Sequence, residues 1–122
     1  MAGKPISYRA PLKPRLSRRL MLEDPRRTSD GAGGHVEAWQ LLGEHWCEMR
    51  ALSGRSTDRL GTSLSLQRYR VTLRAAPVGH SARPRPDQRF RDGGRIFRID
   101  AVAEGDPDQR YLTCFVTEET TA

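Results

Sequence analysis

A chain of 122 residues with 36% hydrophobic and 7% aromatic side chains can build one domain around a modest core, and 11 glycines and 8 prolines favour short strands and turns over a helical bundle. No window approaches the roughly 18 apolar residues of a membrane span, and the basic N-terminus lacks the apolar segment of a secretory signal. The net charge of +6 is unevenly spread: residues 68–98 hold nine arginines, whereas from Ile99 onward Arg110 stands alone against Asp100, Glu104, Asp106, Asp108, Glu118 and Glu119, a polarity that suits head-to-tail contact between copies, contact with a basic partner on one side and an acidic one on the other, or simply a solvated surface.

Residues 1–15 contain Pro5, Pro11 and Pro14 and no repeating apolar pattern, which predicts an extended basic arm. The folded domain is expected over 16–118, with 119–122 as a short tail. Leu16 to Glu23 reads as a first strand, ended by Asp24-Pro25 because proline lacks a ladder donor and holds its predecessor extended. Asp30 to Gly34 is a loop or hairpin tip, where glycine takes positive φ at no steric cost. Residues 36–52 admit two readings. Val36, Trp39, Leu42, Trp46, Met49 and Leu52 fall at helical intervals, whereas a strand puts Cys47, Met49 and Ala51 on one face and Trp46, Glu48 and Arg50 on the other.

Ser53 to Ser63 is polar, glycine-punctuated and longer than an ordinary hairpin connection, so it reads as a long loop of the kind that carries function. Leu64 to Leu73 is the clearest strand. After a slip near Gln67, Tyr69, Val71 and Leu73 face one way and Arg68, Arg70, Thr72 and Arg74 the other. Ala75 to Pro86 is a second loop, closed by Arg83-Pro84-Arg85-Pro86. Gln88–Arg91, Arg95–Ala103 and Tyr111–Thr117 complete the strands, joined by turns at Asp92-Gly93-Gly94 and Gly105-Asp106-Pro107-Asp108. Strands separated this way make an all-β fold, a small antiparallel β-barrel or sandwich.

The chemistry-bearing residues point away from catalysis. Cys47 and Cys114 fall in expected strands and read as free buried thiols rather than a disulfide. No CxxC or HxxxH spacing occurs and His35, His45 and His80 are scattered, so neither a metal nor another cofactor is expected. Asp30 with His35, or Asp58 with Ser56, lacks the nucleophile, base and orienting group of an active site. Gly31 to Gly34 lacks the Lys-Ser/Thr ending of a phosphate loop. The arginines at 68, 70, 74, 89, 91, 95 and 98 could neutralise phosphates without reading sequence, but Tyr69 and Phe90 are the only aromatics placed to stack on bases.

Taken in order, Gly34, Trp39, Trp46-Cys47-Glu48-Met49, Ser53-Gly54, Tyr69-Arg70-Val71, Asp87-Gln88-Arg89, Gly94-Arg95-Ile96-Phe97-Arg98-Ile99 and Tyr111-Leu112 resemble the phage head-tail joining family. Its members are head-completion proteins, stoppers or head-tail adaptors of tailed phages and gene transfer agents. The resemblance spans about residues 16–117. Cys47 stands where a small residue is usual, Gly93-Gly94 adds a glycine, and the arm before Leu16 has no counterpart. The resemblance implies a small barrel, and therefore the strand reading of 36–52.

It also implies a non-enzymatic virion protein of the particle neck, assembled in the bacterial cytoplasm. Six or twelve copies would form a ring between a portal or adaptor ring protein and a tail terminator or tail protein, helping to retain packaged double-stranded DNA. Under that implication Arg55 and Arg59 are candidates for a channel- or partner-facing loop. Trp39, Trp46, Arg68, Arg70, Arg89 and Arg91 are interface candidates, and the arm 1–15 is a candidate for docking on a neighbour. A small basic OB-like nucleic-acid-binding domain and a tail-terminator ring protein are the alternatives.

Overall fold

The computed structural model of the chain describes residues 13–52, 55–57, 63–65 and 67–119, and every regular element among them is a strand. In chain order these are β1 (Arg18–Ser29), β2 (His35–Leu52), β3 (Arg55–Thr57), β4 (Ser63–Ser65), β5 (Arg68–Arg74), β6 (Arg89–Asp92), β7 (Arg95–Glu104) and β8 (Tyr111–Glu119). Six of them form a closed antiparallel barrel in the order β1-β2-β5-β8-β7-β6, while β3 and β4 pair only with each other. Closure comes from β6 returning to β1, where Met21, Leu22 and Glu23 pair with Arg91, Phe90 and Arg89.

Period-two alternation turns one face of each strand inward. Leu20 and Leu22, Cys47, Val71 and Leu73, Phe90, Phe97 and Ile99, and Leu112, Cys114 and Val116 fill the interior and are essentially inaccessible to water. Each buried side chain of this size stabilises the fold by about 1.5–3 kcal/mol. Tyr69 meets Phe97 edge to face at 5.5 Å, capping the core near one end. The hairpin turns follow the glycines. Gly31 and Gly33 have φ of 81° and 85° at the β1–β2 tip, where Asp30 Oδ1 accepts hydrogen bonds from the amides of Ala32 and Gly34. Gly93, at φ 59°, starts the two-residue turn between the paired Asp92 and Arg95.

Residues 36–52 are a strand, and the helical periodicity fails. As part of the 18-residue β2 they pair with β1 along one edge and with β5 from Cys47 to Leu52 along the other. Two of the residues on the supposed helical stripe, Val36 and Trp46, are 54% and 53% exposed, whereas the alternating Cys47 and Met49 meet the core. Asp24-Pro25 does not end β1 either. The Asp30 amide bonds the Gly34 carbonyl, so alternate pairs back along this ladder, 28/36, 26/38 and 24/40, are the bonded ones. Pro25, opposite Trp39, therefore turns its nitrogen away from β2, toward a side that β6 has already left at Glu23.

The segment Ser53–Ser63 is not a plain loop. Its β3 residues pair with β4, Arg55 opposite Ser65 and Thr57 opposite Ser63, in a short ribbon between the end of β2 and the start of β5. The strand expected from Leu64 is accordingly divided between β4 and β5. Arg59 and most of the arm, residues 1–12, lie outside the described residues.

Candidate functional site

Three groups of side chains outside the core bear on function. The first seals the barrel end where β5 begins and β8 finishes. Arg95 donates two hydrogen bonds to Glu118, at 2.8 and 3.0 Å, and Tyr69 Oη bonds the same carboxylate at 3.2 Å. The Arg95 guanidinium also lies 5.0 Å from the Phe97 ring centre, and Arg18 pairs with Asp92 at 3.0 Å beside it. Hydrogen bonding from Arg95 holds the Glu118 carboxyl below the usual carboxylate range despite partial desolvation. Arg95 and Glu118, one from the basic middle and one from the acidic tail, thus neutralise each other within a single copy. Arg98 with Asp100 and Arg110 with Asp106 and Asp108 do the same.

The second group anchors the β1–β2 hairpin to the barrel. Glu23, only 6% exposed, accepts from Arg89 Nε at 2.7 Å and Arg91 Nε at 2.9 Å. Burial alone would raise its pKa, but Arg91 and Arg89 outweigh that and hold the carboxyl below its ordinary value. Arg89 is also stacked on the Trp39 ring at 3.9 Å. Arg89, Arg91 and Trp39 therefore converge on one structural joint. Gln88 strengthens it from below by donating to Asp24 at 2.9 Å and accepting the Arg85 amide at 2.8 Å.

The third group is an outward face across β2, β5 and β8. The register sets Leu52, Arg68 and Thr117 side by side, then Arg50, Arg70 and Phe115, then Glu48, Thr72 and Thr113. Arg50 and Arg70 are directly opposite, a like-charge cross-strand pair that disfavours the sheet. Arg50 leans to Glu48 at 3.2 Å, and Arg70 lies 6.0 Å from the Phe115 ring centre. Arg68, Arg70 and Arg74 form no ion pair among the described residues. Trp46 alternates onto this same outward side. A groove of about 460 Å³ crosses the face, bounded by Leu52, Arg68, Arg98 and Phe115.

The six interface candidates therefore divide. Trp46, Arg68 and Arg70 share the outward face, while Trp39, Arg89 and Arg91 hold the hairpin. Arg55 lies in β3. The sequence reading missed Arg50, Phe115 and Glu23, whose roles arise from strand register and leave no local signature. Cys47 and Cys114 are free and buried, and burial pushes both thiols up to about 12. Among the described residues no cluster of three or more His, Cys, Asp or Glu side chains could hold a metal ion.

Comparisons with known proteins agree with one another. A family model described as phage head completion protein matches residues 12–119. A solved chain from the structure titled "Virion of native gene transfer agent (GTA) particle" is 50% identical, with a TM-score of 0.73, covering 90% of this chain and 100% of that one. No curated protein matches.

Proposed function

The chain belongs to the phage head completion protein family and is a structural protein of the head-tail region of a phage or phage-like particle, and from that membership we propose that it works as a non-enzymatic ring at the particle neck. Copies of the barrel stand between a portal or adaptor ring and the tail, and help keep packaged DNA inside. Its mechanism is geometric and electrostatic. A closed ring needs two different complementary patches on each copy.

One observation carries this reading to particular residues: the opposed Arg50 and Arg70 with Phe115, on the outward side that Trp46 also faces. An isolated soluble barrel gains nothing from like charges in register, whereas arginine and aromatic side chains are the groups most enriched at protein interfaces. This face is the proposed contact with a neighbouring copy or neck protein. The β3–β4 ribbon, carrying Arg55 and leading to Arg59, is the proposed channel-facing element, where arginines repeated around a ring would meet DNA phosphates without sequence preference.

Substituting Arg70→Thr with Arg74→Thr tests the assignment. In the isolated chain the change should be neutral or stabilising by a few tenths of a kcal/mol, because like charges are relieved. In particles it should reduce tail attachment or DNA content, scored by electron microscopy of the neck. Variant particles with tails and DNA at wild-type levels would overturn the role of this face. Retardation of duplex DNA by the monomeric chain would favour the nucleic-acid-binding alternative instead.

A further inference from the structure

The outward face of β2, β5 and β8 calls for a partner of a particular chemistry. Arg50 and Arg70 are directly opposed, and opposed residues of an antiparallel pair stand about 5 Å apart at Cα. Two guanidiniums at that spacing repel each other, and one carboxylate set between them turns the repulsion into two charge-assisted pairs. Arg68 and Arg70 lie one alternation apart along β5, about 7 Å. Carboxylates at alternate positions of an extended peptide repeat at the same interval. The acids already on this face are occupied. Glu48 accepts the Arg15 amide at 2.9 Å and Arg50 Nε at 3.2 Å, and Asp100 accepts Thr117 Oγ1 at 2.6 Å and Arg98 Nε at 3.4 Å.

We propose that this face binds an extended acidic segment of another neck protein. One carboxylate of that segment bridges Arg50 and Arg70, the next meets Arg68, and an apolar side chain enters the groove beside Leu52 and Phe115. The inference rests on the interface role given to this face above and names the chemistry of its partner.

Two features favour a peptide over a duplex. The groove is walled in part by Leu52, Phe115 and Val116, and a duplex backbone has no apolar side chain to place there. Glu48 and Asp100 also flank the arginines. A duplex lays an unbroken run of phosphates across such a surface, whereas a peptide confines its charge to chosen positions. The segment belongs to a different chain because this one has no free segment of that kind. Its acids alternate only at Glu104, Asp106 and Asp108, which end β7 and enter the turn after it. There Asp106 Oδ1 accepts the Arg110 and Tyr111 amides at 2.9 and 3.1 Å, and Asp108 pairs with Arg110 at 3.1 Å.

Overlapping peptides covering the portal, adaptor and tail proteins of the same particle, and this chain itself, would be arrayed and probed with the full chain. Binding should concentrate on acidic peptides of another protein. With the strongest of them labelled for fluorescence anisotropy, affinity should fall as salt rises and drop about tenfold or more in the Arg50→Thr, Arg70→Thr double variant. If that variant melts below wild type, Thr72→Glu sets a carboxylate beside the intact arginines and should weaken binding as far. A peptide with lysine in place of its central acid should lose binding and regain it with Arg70→Glu. Binding to neutral or basic peptides, to peptides of this chain alone, or to none would overturn the acidic partner. So would acidic-peptide binding that these substitutions leave unchanged, or duplex DNA bound more tightly through the same arginines. Arg70→Thr, Arg74→Thr particles that lose tails while no acidic peptide binds leave the face an interface and remove this partner alone. Unaffected particles together with absent peptide binding remove both.

Discussion

Replacing Glu23 by glutamine keeps the shape of the hairpin joint and removes its charge. The carboxylate side chain is 8% exposed and holds Arg89 Nε at 2.7 Å and Arg91 Nε at 2.9 Å. Taking one partner from a buried ion pair costs about 3–5 kcal/mol. Arg91 is 38% exposed and regains water, which lowers the expected cost to about 2–3 kcal/mol. For a domain of this size 1 kcal/mol moves Tm by about 3–6 °C, so Glu23→Gln should melt about 6–18 °C below wild type at pH 7. The pH dependence supplies a second reading. Arg91 and Arg89 depress the folded-state pKa of Glu23 below its ordinary 4.5 despite burial. Its stabilisation is therefore complete above that ordinary value and is lost as pH falls through the folded one. Melts followed by circular dichroism at pH 7 and pH 3 should show the gap between the two proteins closing in acid. A gap below 2 °C at pH 7, or one that persists unchanged at pH 3, would refute the account of this joint.

Two further outcomes can be measured on the isolated chain. Burial lowers the pKa of His45, partly offset by its contact with the Ala82 backbone, so the neutral ring stabilises the fold above about pH 6.5 and that contribution is lost as pH falls toward the depressed value. The drop in Tm between pH 7.5 and 5.5 should accordingly be smaller in His45→Gln than in wild type; equal drops would exclude His45 as the titrating group. Cys47 and Cys114, with thiols raised to about 12, should react with a disulfide reagent at neutral pH at under a tenth of the rate seen in denaturant. Rapid labelling of either in the native chain would mean that the barrel opens.

Much of this fold was legible in local sequence, and the failures have identifiable causes. The glycine turns at 30–34 and 93–94 were readable because positive φ is a property of one residue and its neighbours. The strand Tyr69–Arg74 was readable because alternation has a period of two. β2 was not, because apolar residues at 36, 39, 42, 46, 49 and 52 match a helix when no partner strand is in view. The proline at 25 misled in the same way. Its missing amide matters only if a neighbour needs it, and that depends on how far β6 reaches along β1. At the functional faces, the sequence supplied the arginines and tryptophans but could not sort them.

What the sequence determined by itself was therefore the all-β class, the main hairpin turns, the inward-facing residues of the clearest strand and the ordered landmarks of a head completion protein, all carried by nearest neighbours or by their order. Only the tertiary structure decided that Arg89 and Arg91 are held by Glu23 and Trp39, that Arg95 is neutralised by Glu118, and that Arg50 and Arg70 confront each other on an open face. Each of those outcomes depends on which residues the strand register sets side by side from distant parts of the chain. A one-residue slip in any ladder would have turned the same side chains to the opposite face.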